Sequence, residues 1–278
     1  MTKKQNLFSF LKTLYFRVIN HDIFGLAAQL SYFFLLSLFP LLITLFSIIP
    51  YLPVTEEDII YFIQDFAPGN AIQFIQTNVT DIMSRQNGTI LSLGIIGTLW
   101  SASNGMNAIV RAMNRAYNVK ENRPFLIVRG LSVILTIAMI FIFLIALLLP
   151  VFGKHIGIYL FSKFGFTEQF LQIWNTLRWG VSSIILFIVF SFLYLFTPNK
   201  KIKCISAFRG AIFSTIGWMA VSIGFSFYVN HFANYTSTYG GLGAIIVLMI
   251  WFYLSGVILI MGGEINAILG EDDDRKHC

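Results

Sequence analysis

Charge is scarce in this sequence. Only 12% of its 278 residues are Asp, Glu, Lys or Arg, while 56% are hydrophobic and 16% aromatic, with a mean hydropathy of +0.75. A soluble domain carries about 25% charged residues, so that class is excluded. Cysteine is nearly absent: Cys204 and Cys278 cannot build a disulfide framework and are expected to be free thiols. The histidines, His21, His155, His231 and His277, lie in different segments, and neither HExxH nor CxxC occurs. No metal site is expected, and with no phosphate-binding glycine loop no cofactor is expected either.

What is present is long apolar sequence. Blocks of roughly 20 residues cross a hydrocarbon layer of about 30 Å. Six such blocks occur, at about 28–52, 89–110, 130–152, 179–196, 207–229 and 242–264. The fold class expected is therefore all-α, a polytopic membrane protein with six transmembrane helices in one domain, 1–278, followed by an acidic tail over 271–278. The first block is too long for the core of a cleaved signal and is expected to stay as a span.

Basic residues set the orientation. If all six blocks span, only Arg85, Lys154, Lys163 and Arg178 fall on one side, and the other 15 of the 19 Lys and Arg fall on the side of the N-terminus. The positive-inside rule makes that side cytoplasmic, with both termini there, in the plasma membrane of a bacterium. The block at 89–110 is interrupted by Ser101, Ser103, Asn104 and Asn107, yet omitting it would invert every later loop and scatter the charge. The net charge of +6 then needs no nucleic acid. Basic loops beside membrane ends attract anionic headgroups, so membrane lipids are the expected partners, with a second copy or an envelope protein as further candidates.

Between the first two spans, residues 53–88 read as two short amphipathic helices outside the membrane. Glu56, Glu57 and Asp58 open the first, and Ile72, Ile75, Val79 and Ile82 stripe the second. They suit a cap over the bundle, a gate or a docking surface.

Three features within the spans exceed lipid anchoring. Pro40 stands inside the first, where it removes a backbone donor and marks a kink, either a packing device or a hinge. Gly210, Gly217 and Gly224 recur at sevens in the fifth, and Gly262 and Gly263 form a pair in the sixth; both invite close helix packing. The third feature is a polar set: Asn104, Asn107 and Arg111 ending the second span, and Glu264 with Asn266 ending the sixth. An intramembrane acid is costly and marks a partner, a cavity or a path. Glu264 is expected to meet the second-span cluster, as a structural ion pair or as a functional site.

The runs AAQLSYFFLLSLFPLLI, LWSASNGMNAIVRAMNRAYNVKENRPF and YGGLGAIIVLMIWFYLSGVILIMGGEINAIL together resemble the YihY/virulence factor BrkB family. The resemblance implies a six-helix bacterial cytoplasmic-membrane protein. It also carries two older labels, ribonuclease BN and serum-resistance factor. Phosphodiester hydrolysis needs clustered carboxylates or histidines around a cation, or an acid and base pair. The acids available on the cytoplasmic side, Asp22, Glu121, Glu264 and the run Glu271–Asp274, do not form such a pattern. The expectation is accordingly a non-enzyme: a transporter of lipid, envelope component or small solute, or else a scaffold in envelope biogenesis.

Overall fold

The structure, a computed structural model, describes residues 7–51, 87–140, 167–200, 202, 204–232 and 241–276. Those residues are all helical or in short turns. The helices are α1 (Leu7–Asn20), α2 (Ile23–Ile48, continued by a 3-10 turn, Ile49–Tyr51), α3 (Gly88–Ala116), α4 (Phe125–Ile140), α5 (Thr167–Phe196), α6 (Cys204–Phe232) and α7 (Gly241–Lys276). Residues 52–86, on which the two short amphipathic helices were expected, lie outside the described residues, as do 141–152 of the third span.

Among the described residues, three helical stretches are long and apolar enough to cross a membrane: Ile23–Tyr51, Ser206–Val229 and Ile245–Gly270. Phe125–Ile140 and Gly180–Phe196 are shorter apolar helices. The polar block at 89–110 lies within α3, a single continuous helix outside that apolar set. One boundary moves in a way that matters. The sixth span does not stop at residue 264; α7 runs on to Lys276, so Glu264 stands inside the apolar stretch and Gly270 does not end the helix.

Local chemistry explains the helix ends. Asp22 adopts a left-handed φ of 51° and ends α1, with its N–H on the Ile19 carbonyl. Its carboxylate then accepts the Gly25 N–H at 3.3 Å and its carbonyl the Leu26 N–H, which starts α2 after only two residues. A side chain at Gly25 would collide with that carboxylate. The Asn87 side chain caps α3 by accepting the N–H groups of Thr89 and Ile90, each at 3.1 Å. At the other end Asn118, also at φ 51°, closes a Schellman motif: its N–H bonds the Arg115 carbonyl, and the Val119 N–H bonds that of Asn114.

The chain groups into two compact units, Met1–Tyr32 with Ser103–Cys278, and Phe33–Ala102. In the second, Pro40 lies within α2, which continues beyond it to Ile48. Thr44 Oγ1 donates to the Pro40 carbonyl at 2.8 Å and lies 3.1 Å from Thr98 Oγ1. Gly97 lets α3 approach the proline ring, since an added Cβ would stand 3.2 Å from Pro40 Cβ. In the first unit, α7 packs on α6 and on α1, and α6 on α5. Tyr194, wholly buried, joins three helices there: its hydroxyl lies 2.6 Å from Ser214 Oγ of α6 and donates to the Leu259 carbonyl of α7 at 2.7 Å.

Candidate functional site

The glycine pair of α7 brings three helices against one short stretch. A Cβ on Gly262 would strike Ser214 Oγ and the Tyr194 hydroxyl, and one on Gly263 would stand 2.5 Å from Met113 Sδ of α3. A Cβ on Gly210 would strike the Gly262 carbonyl. Backbones therefore touch where side chains are missing. Asn266, fully buried, uses the same gap: its Oδ1 accepts the Gly210 N–H at 2.6 Å, and its carbonyl accepts the Ser206 hydroxyl at 3.2 Å. Its Nδ2 has no hydrogen-bond partner among the described residues. Gly217 receives the Ile258 side chain, with an added Cβ 3.2 Å from two of its carbons. Gly224 differs, because nothing among the described residues lies within 4 Å of the Cβ it lacks. A packing role for that third glycine has no described neighbour to act on.

Glu264 is 1% exposed, and its partners come from α1 and the turn after it. Nδ1 of His21 lies 2.5 Å from Oε1, and Nη1 of Arg17 lies 3.6 Å from Oε2, an ion pair beyond hydrogen-bond length. Oε2 accepts no hydrogen bond among the described residues. The same Arg17 nitrogen donates to the Ala116 carbonyl at 3.1 Å, which fixes α1 to the end of α3. The Tyr117 hydroxyl nearby is buried with no hydrogen-bond partner among the described residues. Burial first, and the Glu264 charge second, push that phenol above its usual range.

The expected meeting of Glu264 with Asn104, Asn107 and Arg111 is not what the structure shows. Asn104 Oδ1 accepts from Arg129 at 2.6 Å, Arg111 donates to Gln29 Oε1 at 3.3 Å, and Asn107 is half-buried. Helix rotation gives the reason. Met113 is the α3 side chain against Gly263, and at about 100° per residue Arg111, Asn107 and Asn104 point roughly 200°, 240° and 180° away from it. They share the end of the helix with Glu264 but not its face.

Arg17 and His21 carry no role in the sequence reading, which assigns no element to residues 1–27. Their signal is nonetheless there: a basic residue and a histidine four apart share a helix face, and Phe8, Leu11, Tyr15 and Ile19 recur at helical spacing beside them.

A basin of about 650 Å³ opens beside this cluster, lined by His21, Arg111, Asn114, Arg115, Asn118, Val119, Lys120 and Glu121. Its rim is built by Asn114, which is 5% exposed. Asn114 Nδ2 donates to Glu121 Oε2 at 2.7 Å and Oδ1 accepts the Asn199 N–H at 2.7 Å, so the loop after α3 is tied to the turn after α5. Arg123 clamps the Glu121 carboxylate through Nε at 2.7 Å and Nη2 at 2.6 Å. The Arg123 side chain is the main reason the Glu121 carboxyl is held down at about 2, with the Arg123 N–H and Asn114 adding to it. Among the described residues, no three His, Cys, Asp or Glu side chains gather as a metal would require.

Long apolar helices, a helical bundle and a carboxylate buried within one of its apolar stretches define a polytopic membrane protein. The virulence factor BrkB family matches residues 14–277, and the chain belongs to that family. It is 53% identical over 261 residues to a Bacillus subtilis (strain 168) protein named ribonuclease-like protein YfkH, covering 94% of this chain and 95% of that one. It is 30% identical over 274 residues to a UPF0761 membrane protein of Aliivibrio salmonicida (strain LFI1238), covering 96% of this chain and 84% of that one. A UPF0761 membrane protein of Alteromonas mediterranea is 28% identical over 259 residues, with 91% and 84% covered. No solved structure matches the chain.

Proposed function

We propose that the chain is a transporter that moves a lipid, an envelope component or a small solute across the bacterial cytoplasmic membrane. One observation carries this reading. Glu264 lies buried in the apolar stretch Ile245–Gly270, with one oxygen on His21 and the other accepting no hydrogen bond among the described residues. A structural acid would have both oxygens satisfied, because an unpaired polar atom in a low-dielectric interior is costly. A half-satisfied carboxylate, with a histidine and an arginine at hand, is equipped to exchange partners or a proton as a cycle proceeds.

The topology in this reading is six spans with both termini cytoplasmic. It is supported by the distribution of Lys and Arg along the chain and by Arg111, Arg115, Lys120 and His21 lining one basin. The chain acts without a cofactor, without nucleic acid and without enzymatic chemistry. Of the acids whose side chains are described, Asp22 accepts the Gly25 N–H, Glu121 is held by Arg123 and Asn114, and Glu264 meets His21 through one oxygen. The ribonuclease-like name of YfkH therefore stays with that protein.

A scaffold in envelope biogenesis is the second reading. The closed contact of Tyr194, Ser214 and Leu259, and of Gly210 with Asn266, favours it, because such packing leaves no room for a path between α5, α6 and α7. Movement of a fluorescent lipid across proteoliposomes, with and without an imposed proton gradient, separates the two. Transport should exceed that of protein-free liposomes, and Glu264→Gln, folded in normal amount, should fall to the protein-free rate. If the unaltered protein gives only the protein-free rate, the lipid-transport reading fails and the scaffold reading gains.

A further inference from the structure

The basin beside Glu264 has more positive charge than the fold requires. Arg111 and Arg115 lie four apart on α3, a spacing at which like charges repel, and Lys120 and His21 face the same space. The C-terminal end of a helix favours a cation, which accounts for Arg115 in the last turn of α3 but not for the set. The lining acid, Glu121, is taken by Arg123 and Asn114. Among the described residues, Arg111 and Arg115 each give one hydrogen bond to the protein, to Gln29 and to the Asn20 carbonyl, out of the five N–H groups that a guanidinium carries. Among the described residues Lys120 forms no ion pair.

We propose that this basin binds a phosphate-bearing anion, with the headgroup of an anionic lipid as its source. Two guanidinium groups on one helix face present paired donors to phosphate oxygens, and Lys120 adds a point charge from the loop. His21 forms the inner wall, and its Nδ1 is already on Glu264, so a bound anion sits one imidazole away from the buried carboxylate. The volume, about 650 Å³, exceeds what inorganic phosphate needs and falls in the range of small-molecule sites. The surroundings favour a lipid. Ile19, two residues before His21, is 55% exposed, and Phe125 and Leu126, four and five residues after Glu121, are 75% and 80% exposed. Exposed apolar side chains within a few residues of the basin's lining in sequence suit acyl chains beside a charged headgroup. This deepens the transport reading by naming a substrate class, and it depends on that reading only for the movement of the lipid once bound.

The test uses the full chain in a neutral detergent and a short-chain fluorescent phosphatidylglycerol, monitored by anisotropy. Diacylglycerol with the same chains and label, lacking phosphate, should bind far more weakly. Arg111→Gln with Arg115→Gln should weaken phosphatidylglycerol binding about 25-fold, and Lys120→Gln about fivefold, at the strength of one headgroup contact per charge. Lys12→Gln, an exposed change on α1 outside the basin, should leave it unaltered. Lys120 is exposed in a loop, so its variant keeps the test valid even if the double change impairs folding. Inorganic phosphate should fail to displace the probe; displacement at low concentration would assign the site to free phosphate instead of a headgroup. Equal binding of the diacylglycerol, or unchanged affinity in the folded variants, overturns the proposal. Selective binding without lipid movement in proteoliposomes sinks the transport reading and leaves the site, whereas movement without selective binding does the reverse.

Discussion

Two stretches of this chain are almost equally apolar and are used in opposite ways. Ile23–Tyr51 has a mean hydropathy of 2.3 and Ile245–Gly270 one of 2.5. Along the first, Leu36, Phe39, Leu42, Ile43, Leu45 and Phe46 are all exposed on the protein, whereas residues 262 to 268 of the second are buried without a break. Hydropathy reports that a helix belongs out of water; it does not report whether lipid or protein takes water's place. In a bilayer apolar surface gains little from meeting another helix, so close contact depends on small residues and polar side chains. The second stretch has Gly262, Gly263, Glu264 and Asn266 within five positions, and the exposed half of the first has none of these.

The sharpest break of that comparison is Gly262→Val. Its side chain would enter the space held by Ser214 Oγ, the Tyr194 hydroxyl and the Gly210 carbonyl, two hydrogen-bonded hydroxyls and a backbone atom of α6. The expected loss is more than about 4 kcal/mol, seen as absence of a monodisperse folded peak in detergent chromatography. Leu42→Ala in the exposed stretch should shift thermal unfolding by no more than about 0.5 kcal/mol. Comparable losses at the two positions would show that the apolar surface of α2 is covered by protein after all.

Next in size is His21→Ala. It takes the 2.5 Å partner from a carboxylate that is 1% exposed and leaves it only the longer Arg17 ion pair, and breaking a buried pair in this way costs up to about 3 kcal/mol. Adding Glu264→Gln should recover part of that loss, because an amide needs no counter-charge. Thermal unfolding of the two single variants and the double variant closes the cycle. Strict additivity would mean that the two side chains do not interact.

How far this site could be read in advance depends on what each signal encodes. The membrane class and the helical fold follow from composition and block length, which are sums over many residues and tolerate local error. Glu264 with its glycine pair stands out because an acid and missing side chains are both anomalous in an apolar run. Its partners were not legible. Hydropathy passes over α1, whose 14 residues are too few to span and are broken by Lys12 and Arg17, and the nearest polar cluster in α3 lies on the wrong helical face. Finding a partner across 243 positions of sequence needs the rotation of each helix as well as its end, and rotation is set by contacts such as Met113 on Gly263.

A smaller effect tests the rim of the basin. Because the Glu121 carboxyl is held down at about 2 from an ordinary value of 4.5, its clamp with Arg123 and Asn114 adds stability above the ordinary value, and that stability fades as pH falls toward 2. The side chain is 28% exposed, so screening keeps the effect below about 1 kcal/mol. Glu121→Gln should lower the unfolding temperature slightly at about pH 6 and by less at about pH 3. A difference that grows on acidification would contradict the sign.

The smallest effect falls on Gly224 and sharpens the comparison within one helix. Gly210, Gly217 and Gly224 are evenly spaced on α6, yet an added Cβ would strike the Gly262 carbonyl at the first, stand 3.2 Å from Ile258 at the second and meet nothing described within 4 Å at the third. Alanine should therefore be least tolerated at 210, intermediate at 217 and neutral at 224. There the higher helix propensity of alanine could even add up to about 1 kcal/mol. Unfolding temperatures of the three alanine variants in one detergent give the ranking. A loss at Gly224 as large as that at Gly210 would mean that another surface covers it, either a second copy of the chain or residues outside those described, and cross-linking of a cysteine at position 224 to itself in membranes would tell which.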